Sequence, residues 1–460
     1  MGVTSIMESI EDYEESILIY ESRDNTLKDE TFERLEKGFR TFCLDQLNAC
    51  AEKSLNAKPL NLDREAVIRS VSNDSRLPQL KSRDQRIDFI GAFSTVCDCN
   101  DLIENALVFY ERYLPTEVFC SYSPHTIESF VFMRALEECG VKVIKLINSP
   151  LPWIFLPKVG LSNEPQNYRI RRESGNLEAQ KTQVNKYFSV LKGEYEQAIP
   201  YYDRNPMISP LRRLTSFISS WSPKSVFKYY EKQLAYRDFK KSVASLGQGM
   251  NYGVYFLHYQ PESNTLPDAE IYNDQYLAIK KISNSLPDGM TLVIKEHPST
   301  FSKRCDLRFR PKGFYQRLLS LPNTTMCPLD TPTFHLIDDA RFVSSITGVC
   351  LTEALARGIP IIFFNSARFS GFPLAAALDA SQLSYDRLKA EVSNIVRPSY
   401  LFPYRQVMNS FIDLVTYGYD GSEGGSFILT SVADEGRVTE IINLKIIKDF
   451  FEGSVSNTYT

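Results

Sequence analysis

Short runs of consecutive apolar residues alternate along the chain with longer stretches whose apolar positions recur every three or four residues. That is the spacing of buried strands set between amphipathic helices. The run SILIY at 16–20 reads as a strand, and the stretch 21–53 after it as a loop followed by a helix. Further strands are predicted at 88–94 (DFIGAFS), 117–123 (EVFCSYS) and 141–147 (VKVIKLI), the last two separated by a helix over 125–140 that stops at Gly140. Strand, helix, strand at this rhythm implies a parallel sheet with right-handed crossovers. A second series opens at 253–259 (GVYFLHY), with a helix over 273–286 and a strand at 291–297 (TLVIKEH). It continues through a helical stretch over 306–321, a strand at 340–346 (ARFVSSI), a helix over 350–358 and a strand at 359–365 (IPIIFFN). Units of about thirty to forty residues are the size of a βαβ element.

Between 160 and 248 the strand pattern stops, and Tyr, Phe, Lys, Arg and Pro fill a region that reads as helices and loops. The predicted fold class is therefore α/β, with two doubly wound Rossmann-type domains facing each other across a cleft and ligands at the carboxyl ends of the strands. The expected boundaries are 1–160 for the first domain, 161–248 for a basic, aromatic helical insertion or bridge, and 249–460 for the second domain, whose last helix returns to the first.

Charge and cysteine usage narrow the function classes. The 460 residues hold 52 Lys and Arg against 56 Asp and Glu, a formal net charge of -4, which argues against a general nucleic-acid binder. The average hides an asymmetry, since from Arg169 through Lys241 there are 15 basic and 7 acidic residues. Nine cysteines lie scattered without a disulfide framework, and the start MGVTSIMESIEDYEES is acidic where a signal peptide needs a basic and then an apolar run. The expectation is a cytoplasmic protein with reduced thiols and, for want of eighteen consecutive apolar residues, no membrane span. Cys97 and Cys99 lack a second pair at zinc spacing, so no metal is expected. Neither a Walker A sequence, a GxGxxG after a strand, nor GxSxG occurs, which removes the commonest kinase, dehydrogenase and hydrolase readings.

The candidate chemistry sits at predicted strand ends. In KEHPS (295–299) Pro298 halts the ladder, so Lys295, Glu296 and His297 stand at the lip of a buried strand, as site residues or as satisfied structural ones. In VSSITG (343–348) a strand runs into Ser344, Ser345, Thr347 and Gly348 and a helix begins at once, bringing hydroxyls and free N–H groups to a positive helix end. Either this is an anion seat suited to a phosphate, with Glu353 placed to accept from ribose hydroxyls, or it is a plain N-cap with a helix-dipole glutamate. His258, Gln260 and Glu262 in LHYQPESNT (257–265) occupy the same edge if the sheet is parallel. In the first domain His125 of SYSPHT (121–126) is a general base or a helix cap. His335 has no assigned role.

The stretches YFLHYQPESNTLPDAEIYNDQYLAI, LVIKEHPSTF and VSSITGVCLTEALARGIPIIFF resemble the capsule and surface-polysaccharide biosynthesis family whose better-known members transfer Kdo from CMP-Kdo. The likeness runs across 250–370, and FCSYSPHTIESFVFMRALEECGVKVIKLINSPLP matches the family's N-terminal half more loosely. The resemblance implies a GT-B glycosyltransferase with the donor nucleotide on the C-terminal domain and the acceptor on the N-terminal one. His297-Pro298 and Ser344-Ser345 match the HP and paired-Ser motifs of related sialyltransferases. On that carry-over His297, Ser345, Thr347 and Gly348 hold the donor phosphate and Glu353 the ribose, without a metal or other cofactor. A double displacement through a carboxylate is implied, with Glu262 the first candidate nucleophile, Asp274 the second, and His125 activating the acceptor or helping it bind. The implied acceptor is a lipid-linked glycan of capsule or O-antigen synthesis. The basic segment 212–241 is then either a peripheral contact with the inner face of the membrane or a solvated helical bridge. Two alternatives stay open: a UDP- or other NDP-sugar donor on the same fold, and a non-catalytic subunit of a polysaccharide assembly complex.

Overall fold

The computed structural model describes residues 62–78, 92–115, 126–161, 177–193, 223–260, 268–301, 309–369 and 371–417, with shorter pieces between and beyond them. Two compact units result, one formed by Met1–Ser174 with Leu414–Thr460 and the other by Gly175–Asp413. The stretch 161–248, expected as a separate bridge, is thus divided between them, with both of its described helices in the second unit.

In the first unit the strand expected at 16–20 is present as β1 (Ile17–Tyr20). It pairs in parallel with β2 (Arg40–Cys43), which corrects the helix expected across that part of 21–53. Helix α1 (Arg64–Ser72) begins at Asp63, whose carboxylate accepts from Ala66 N at 3.0 Å. Helix α2 (Ala92–Tyr113) takes the last three residues of the run expected to be a strand at 88–94, whose first four lie outside the described residues. Ala92 and Phe93 of that run open a 22-residue helix whose Ile103, Ala106 and Leu107 are fully buried, and a short apolar run does not separate strand from helix.

Strand β3 (Glu117–Cys120), helix α3 (Ile127–Glu138) and strand β4 (Lys142–Asn148) form the expected parallel unit. Thr126 starts α3 through a capping box with Ser129, and Gly140, at φ 85°, supplies the left-handed residue that ends it. Strand β5 (Ile154–Val159) then folds back antiparallel on β4, so this sheet is mixed. Its core packs α1, α2 and α3 around Val71, Ile103, Phe130, Val131 and Leu136.

The second unit holds helices α4 (Leu177–Lys192) and α5 (Pro223–Ser242) and then the second βα series. Its elements are β6 (Tyr252–Phe256), α6 (Gln275–Ser283), β7 (Thr291–Lys295), α7 (Phe314–Leu319), β8 (Thr324–Met326), α8 (Thr333–Asp338), β9 (Val343–Ser344), α9 (Val349–Arg357), β10 (Ile361–Phe363) and β11 (Ala377–Asp379). Every pairing is parallel and the order is β11-β10-β9-β6-β7-β8. Read from the centre, this is the doubly wound order 3-2-1-4-5-6, whose direction reverses between β6 and β9. Continuous apolar stretches such as Leu292–Ile294 and Ile361–Phe363 are buried throughout, as a sheet covered on both faces requires. Gly358, at φ 80°, closes α9 as expected of the Gly-Ile-Pro sequence.

Two packing details fix this unit. Arg357, in the last turn of α9, donates to Leu191 O at 3.2 Å and Gly193 O at 3.1 Å, at the end of α4. It also forks onto the Asp338 carboxylate and lies 4.0 Å from the Phe334 ring centroid. At Gly253 in β6 the Phe342 ring lies so close that an added Cβ would stand 2.2 Å from its Cζ. Gly253→Ala is therefore expected to lower stability by about 2–3 kcal/mol in urea denaturation. Gly247→Ala, where a Cβ meets nothing within 4 Å, is the control expected to change little.

Candidate functional site

The carboxyl ends of β6 and β9 lie side by side at the point where the strand order reverses, the place where open α/β sheets bind ligands. The chain leaves β6 into His258 and Gln260 and leaves β9 into Ser345, Thr347 and Gly348, so two of the three clusters expected in this domain meet there. His258 Nε2 accepts the Thr347 backbone N–H at 3.0 Å and joins the two loops directly.

Behind this junction, at the end of β7, lies a fully buried ion pair. Glu296 accepts from Arg310 Nε at 2.7 Å and Nη2 at 3.0 Å, from His297 N at 2.7 Å, from Tyr315 OH at 2.9 Å and from Thr300 Oγ1 at 3.0 Å. Burial alone would raise the Glu296 carboxyl. The Arg310 charge and these hydrogen bonds outweigh it and hold the group below the usual carboxylate range. Arg310 also donates to His258 O at 2.9 Å and to Gln260 Oε1 at 3.4 Å. Gln275, at the start of α6, completes the cluster: its Oε1 accepts His258 N at 2.7 Å and its Nε2 donates to Gln260 Oε1 at 2.8 Å.

Several residues expected to face the donor are thus engaged internally. Glu296 belongs to the ion pair. Lys295, also buried, donates to Pro328 O at 3.0 Å and to Leu329 O, and burial lowers its pKa. Ser344 Oγ ties β9 to β10 through Ile362 O at 2.7 Å, and Ser345 Oγ ties the turn to β6 through Phe256 O at 2.9 Å. Gln260 is held by Asn273 O as well as by Gln275. His297 is half-buried, with its ring centroid 5.7 Å from that of Tyr259, and exposed Pro298 opens a turn of 3₁₀ helix.

What remains directed to the turn is Thr347, Gly348 and the N-terminus of α9. Thr347 is 2% exposed and its Oγ1 has no hydrogen-bond partner, while its carbonyl accepts from Arg368 Nη1 at 2.7 Å. Gly348 is the N-cap of α9 and has no side-chain cap, and a Cβ there would lie 3.0 Å from Ser345 Oγ and from Cys350 Sγ. Further along α9, Glu353 is 9% exposed, and burial pushes its carboxyl up to about 7, partly opposed by the Arg357 charge. Tyr187 on α4 is near enough to feel it: burial first and the Glu353 charge second push the phenol up to about 12, against Arg368.

Of the candidate nucleophiles, Asp274 is exposed and caps α6 by accepting from Tyr276 N at 3.1 Å, so it stands before that helix rather than within it. Glu262 and His125 lie outside the described residues. Sequence reasoning missed Arg310, Gln275, Tyr315, Tyr187 and Arg368. Only Arg368 carried a usable signal, since NSARF at 365–369 follows β10 as the other clusters follow their strands.

Fold and site together define a Rossmann-like α/β protein of two units, consistent with the GT-B class, with the unpartnered Thr347 hydroxyl and the start of α9 at the strand-order reversal. No family model matches the chain, and no curated protein matches it. Among solved structures it is similar to a KpsC β-Kdo 2,7 transferase of Thermosulfurimonas dismutans, at 13% identity, 68% of this chain, 88% of the other and a TM-score of 0.27. It is also similar to a UDP-GlcNAc 2-epimerase of Neisseria meningitidis bound to UDP-GlcNAc, at 11% identity over 90% and 94% of the two chains with a TM-score of 0.25. At TM-scores this low the chemistry is argued from the residues.

Two predictions follow from the buried charges. Arg310→Met leaves Glu296 without its counter-charge and should cost about 3–5 kcal/mol in chemical denaturation, part of which Glu296→Leu in the same chain restores. Glu353 holds its proton in the folded protein from its ordinary value of 4.5 up to about 7, so it withdraws stability as pH rises through that window and leaves the full burial penalty above it. Glu353→Gln should therefore change little in a melt at pH 5 and stabilise by up to about 3 kcal/mol at pH 8.

Proposed function

We propose that this protein is a glycosyltransferase of surface-polysaccharide biosynthesis that takes its sugar from a nucleotide donor, CMP-Kdo, and passes it to a lipid-linked glycan. The observation that carries the reading is the buried, unpartnered Thr347 hydroxyl beside the uncapped N-terminus of the nine-residue helix α9, at the strand-order reversal. A phosphate there accepts from Thr347 Oγ1 and from the first free N–H groups of α9, and the helix dipole favours its charge. One phosphate suits a seat of one hydroxyl and one helix end, which is why a CMP-sugar is preferred over a diphosphate donor. Glu353, on the same helix, takes the ribose hydroxyls, and its raised pKa lets the carboxyl also donate to them.

In the transfer the Glu262 carboxylate bonds to the anomeric carbon as the bond to the donor phosphate oxygen breaks, and the acceptor hydroxyl oxygen then displaces the carboxylate while its proton leaves to a base. The helix end stabilises the departing phosphate, where negative charge grows. Glu262 remains the proposed nucleophile and His125 the acceptor-side base. Asp274 is the weaker candidate because its carboxylate already caps α6. The acceptor's membrane association rests on charge: in α5, Tyr230 and Leu234 stand exposed one turn apart, ahead of Arg237, Lys240 and Lys241. Polar and apolar residues are nevertheless spread around α5 rather than divided between two faces, which fits a packed bridge better than a membrane-lying helix. Among the described residues no helix is long and apolar enough to cross a membrane.

Thermal melts with CMP, UDP and GDP test the donor. Stabilisation by CMP above the others is expected, and selective stabilisation by UDP reassigns it. Thr347→Val should weaken CMP binding about tenfold or more by calorimetry while leaving the melting temperature equal or higher, because a buried unpaired hydroxyl is removed. Unchanged CMP affinity in this variant would refute the seat.

A further inference from the structure

Two side chains join the loops at the strand-order reversal, Ser345 through Phe256 O and His258 through Thr347 N, and only the histidine receives a backbone N–H of the turn. A backbone N–H can only donate, so His258 Nε2, 3.0 Å from Thr347 N, must present its lone pair. The imidazole is accordingly neutral, with its proton on Nδ1. Its own backbone is fixed at both ends, the N–H by Gln275 Oε1 at 2.7 Å and the carbonyl by Arg310 Nη2 at 2.9 Å. His258 is 6% exposed, and the Thr347 N–H it receives lies on a residue 2% exposed. Removing the acceptor would strand a buried N–H, a state the turn escapes only by rotating.

Rotation matters because the other ties do not fix this peptide from the same side. Ser345 Oγ anchors the turn two residues earlier, to Phe256 O, and Arg368 holds the Thr347 carbonyl. The Ile346 carbonyl, at the other end of the same peptide, accepts from Phe364 N at 3.3 Å, so the His258 contact is the second of two ties that fix the direction of the Thr347 N–H, and with it the orientation of the Thr347 side chain and of the first turn of α9. We infer that His258 is a positioning residue: through the Thr347 N–H it holds the turn so that the Thr347 hydroxyl and the α9 N-terminus converge on an anion, without itself touching it. The Glu296–Arg310 pair and Gln275 extend the same function inward by fixing the histidine's backbone. This inference rests on the proposed role of the turn as the donor-phosphate seat. It adds that the Thr347 N–H is withheld from the ligand, which is bound by the hydroxyl and by the N–H groups that follow.

Two substitutions separate positioning from mere packing. Glutamine carries its amide oxygen about as far from the backbone as Nε2 and can accept the same N–H, whereas asparagine reaches only as far as Nδ1. In calorimetric titrations of the full chain with CMP, His258→Gln should bind within about threefold of the parent and His258→Asn about tenfold or more weakly. Equal CMP affinity in His258→Asn and the parent, or equal loss in both variants, overturns the inference. A second readout needs no ligand. With ¹⁵N-labelled histidine there are four imidazoles to resolve, and the one missing from His258→Gln should show the Nδ1–H tautomer at mildly alkaline pH. An Nε2–H tautomer overturns the inference. A parent protein that binds neither CMP, UDP nor inorganic phosphate would overturn the donor reading instead, and the tautomer would then decide the latch alone.

Discussion

The second unit depends on an ion pair that water never reaches. Taking a carboxylate and a guanidinium out of solvent is favourable only when their remaining lone pairs and protons are satisfied. Glu296 meets that condition with five hydrogen bonds from four residues, and Arg310 by also reaching the carbonyls of His258 and Phe309. The pair therefore does more than neutralise itself. It joins the carboxyl ends of β6 and β7, orients the start of α7 through Tyr315, and leaves the chain beyond β6 with one available path. The histidine, the turn after β9 and the helix end next to it take their places relative to that fixed corner.

Polar residues around the reversal point fall into two groups. Ser344, Ser345, Lys295, Gln260 and Gln275 hold loops to strands and make the site rigid. Thr347 Oγ1 and the leading N–H groups of α9 are left for something else. This division suits binding, because donors fixed in advance lose little freedom when an anion arrives. It also shows why serine pairs and charged strand ends are ambiguous in a sequence. The hydroxyl that ties two strands and the hydroxyl that meets a phosphate are the same chemical group, and only the distance to the next carbonyl separates them.

Much of the architecture was legible along the chain. Apolar runs bounded by glycine and proline marked β6, β7, β9 and β10, Gly140 and Gly358 marked helix ends, and the strand-end positions of His258 and Thr347 marked where two loops meet. The errors have physical causes. DFIGAFS is as apolar as a strand, yet Ala92–Ser94 open a helix whose burial comes from α1 and α3. The reversal of β5 depends on a turn over Pro150–Trp153 that periodicity does not register. Arg310 could not be found because its role is set by Glu296, fourteen residues earlier in the chain, and no local pattern links the two. Lys295 and Glu296 were correctly placed at a strand end, but the direction in which such side chains turn is decided by the packing of neighbouring loops.

Arg357 closes the last turns of two helices with one guanidinium, taking the free carbonyls at the end of α4 while its partner Asp338 anchors it to α8. A charge at that position does for α4 what a glycine cap does elsewhere, but it also makes α4 and α9 a single lever. The far end of that lever is the helix N-terminus beside Thr347. The end of α4 is therefore tied to that turn through α9.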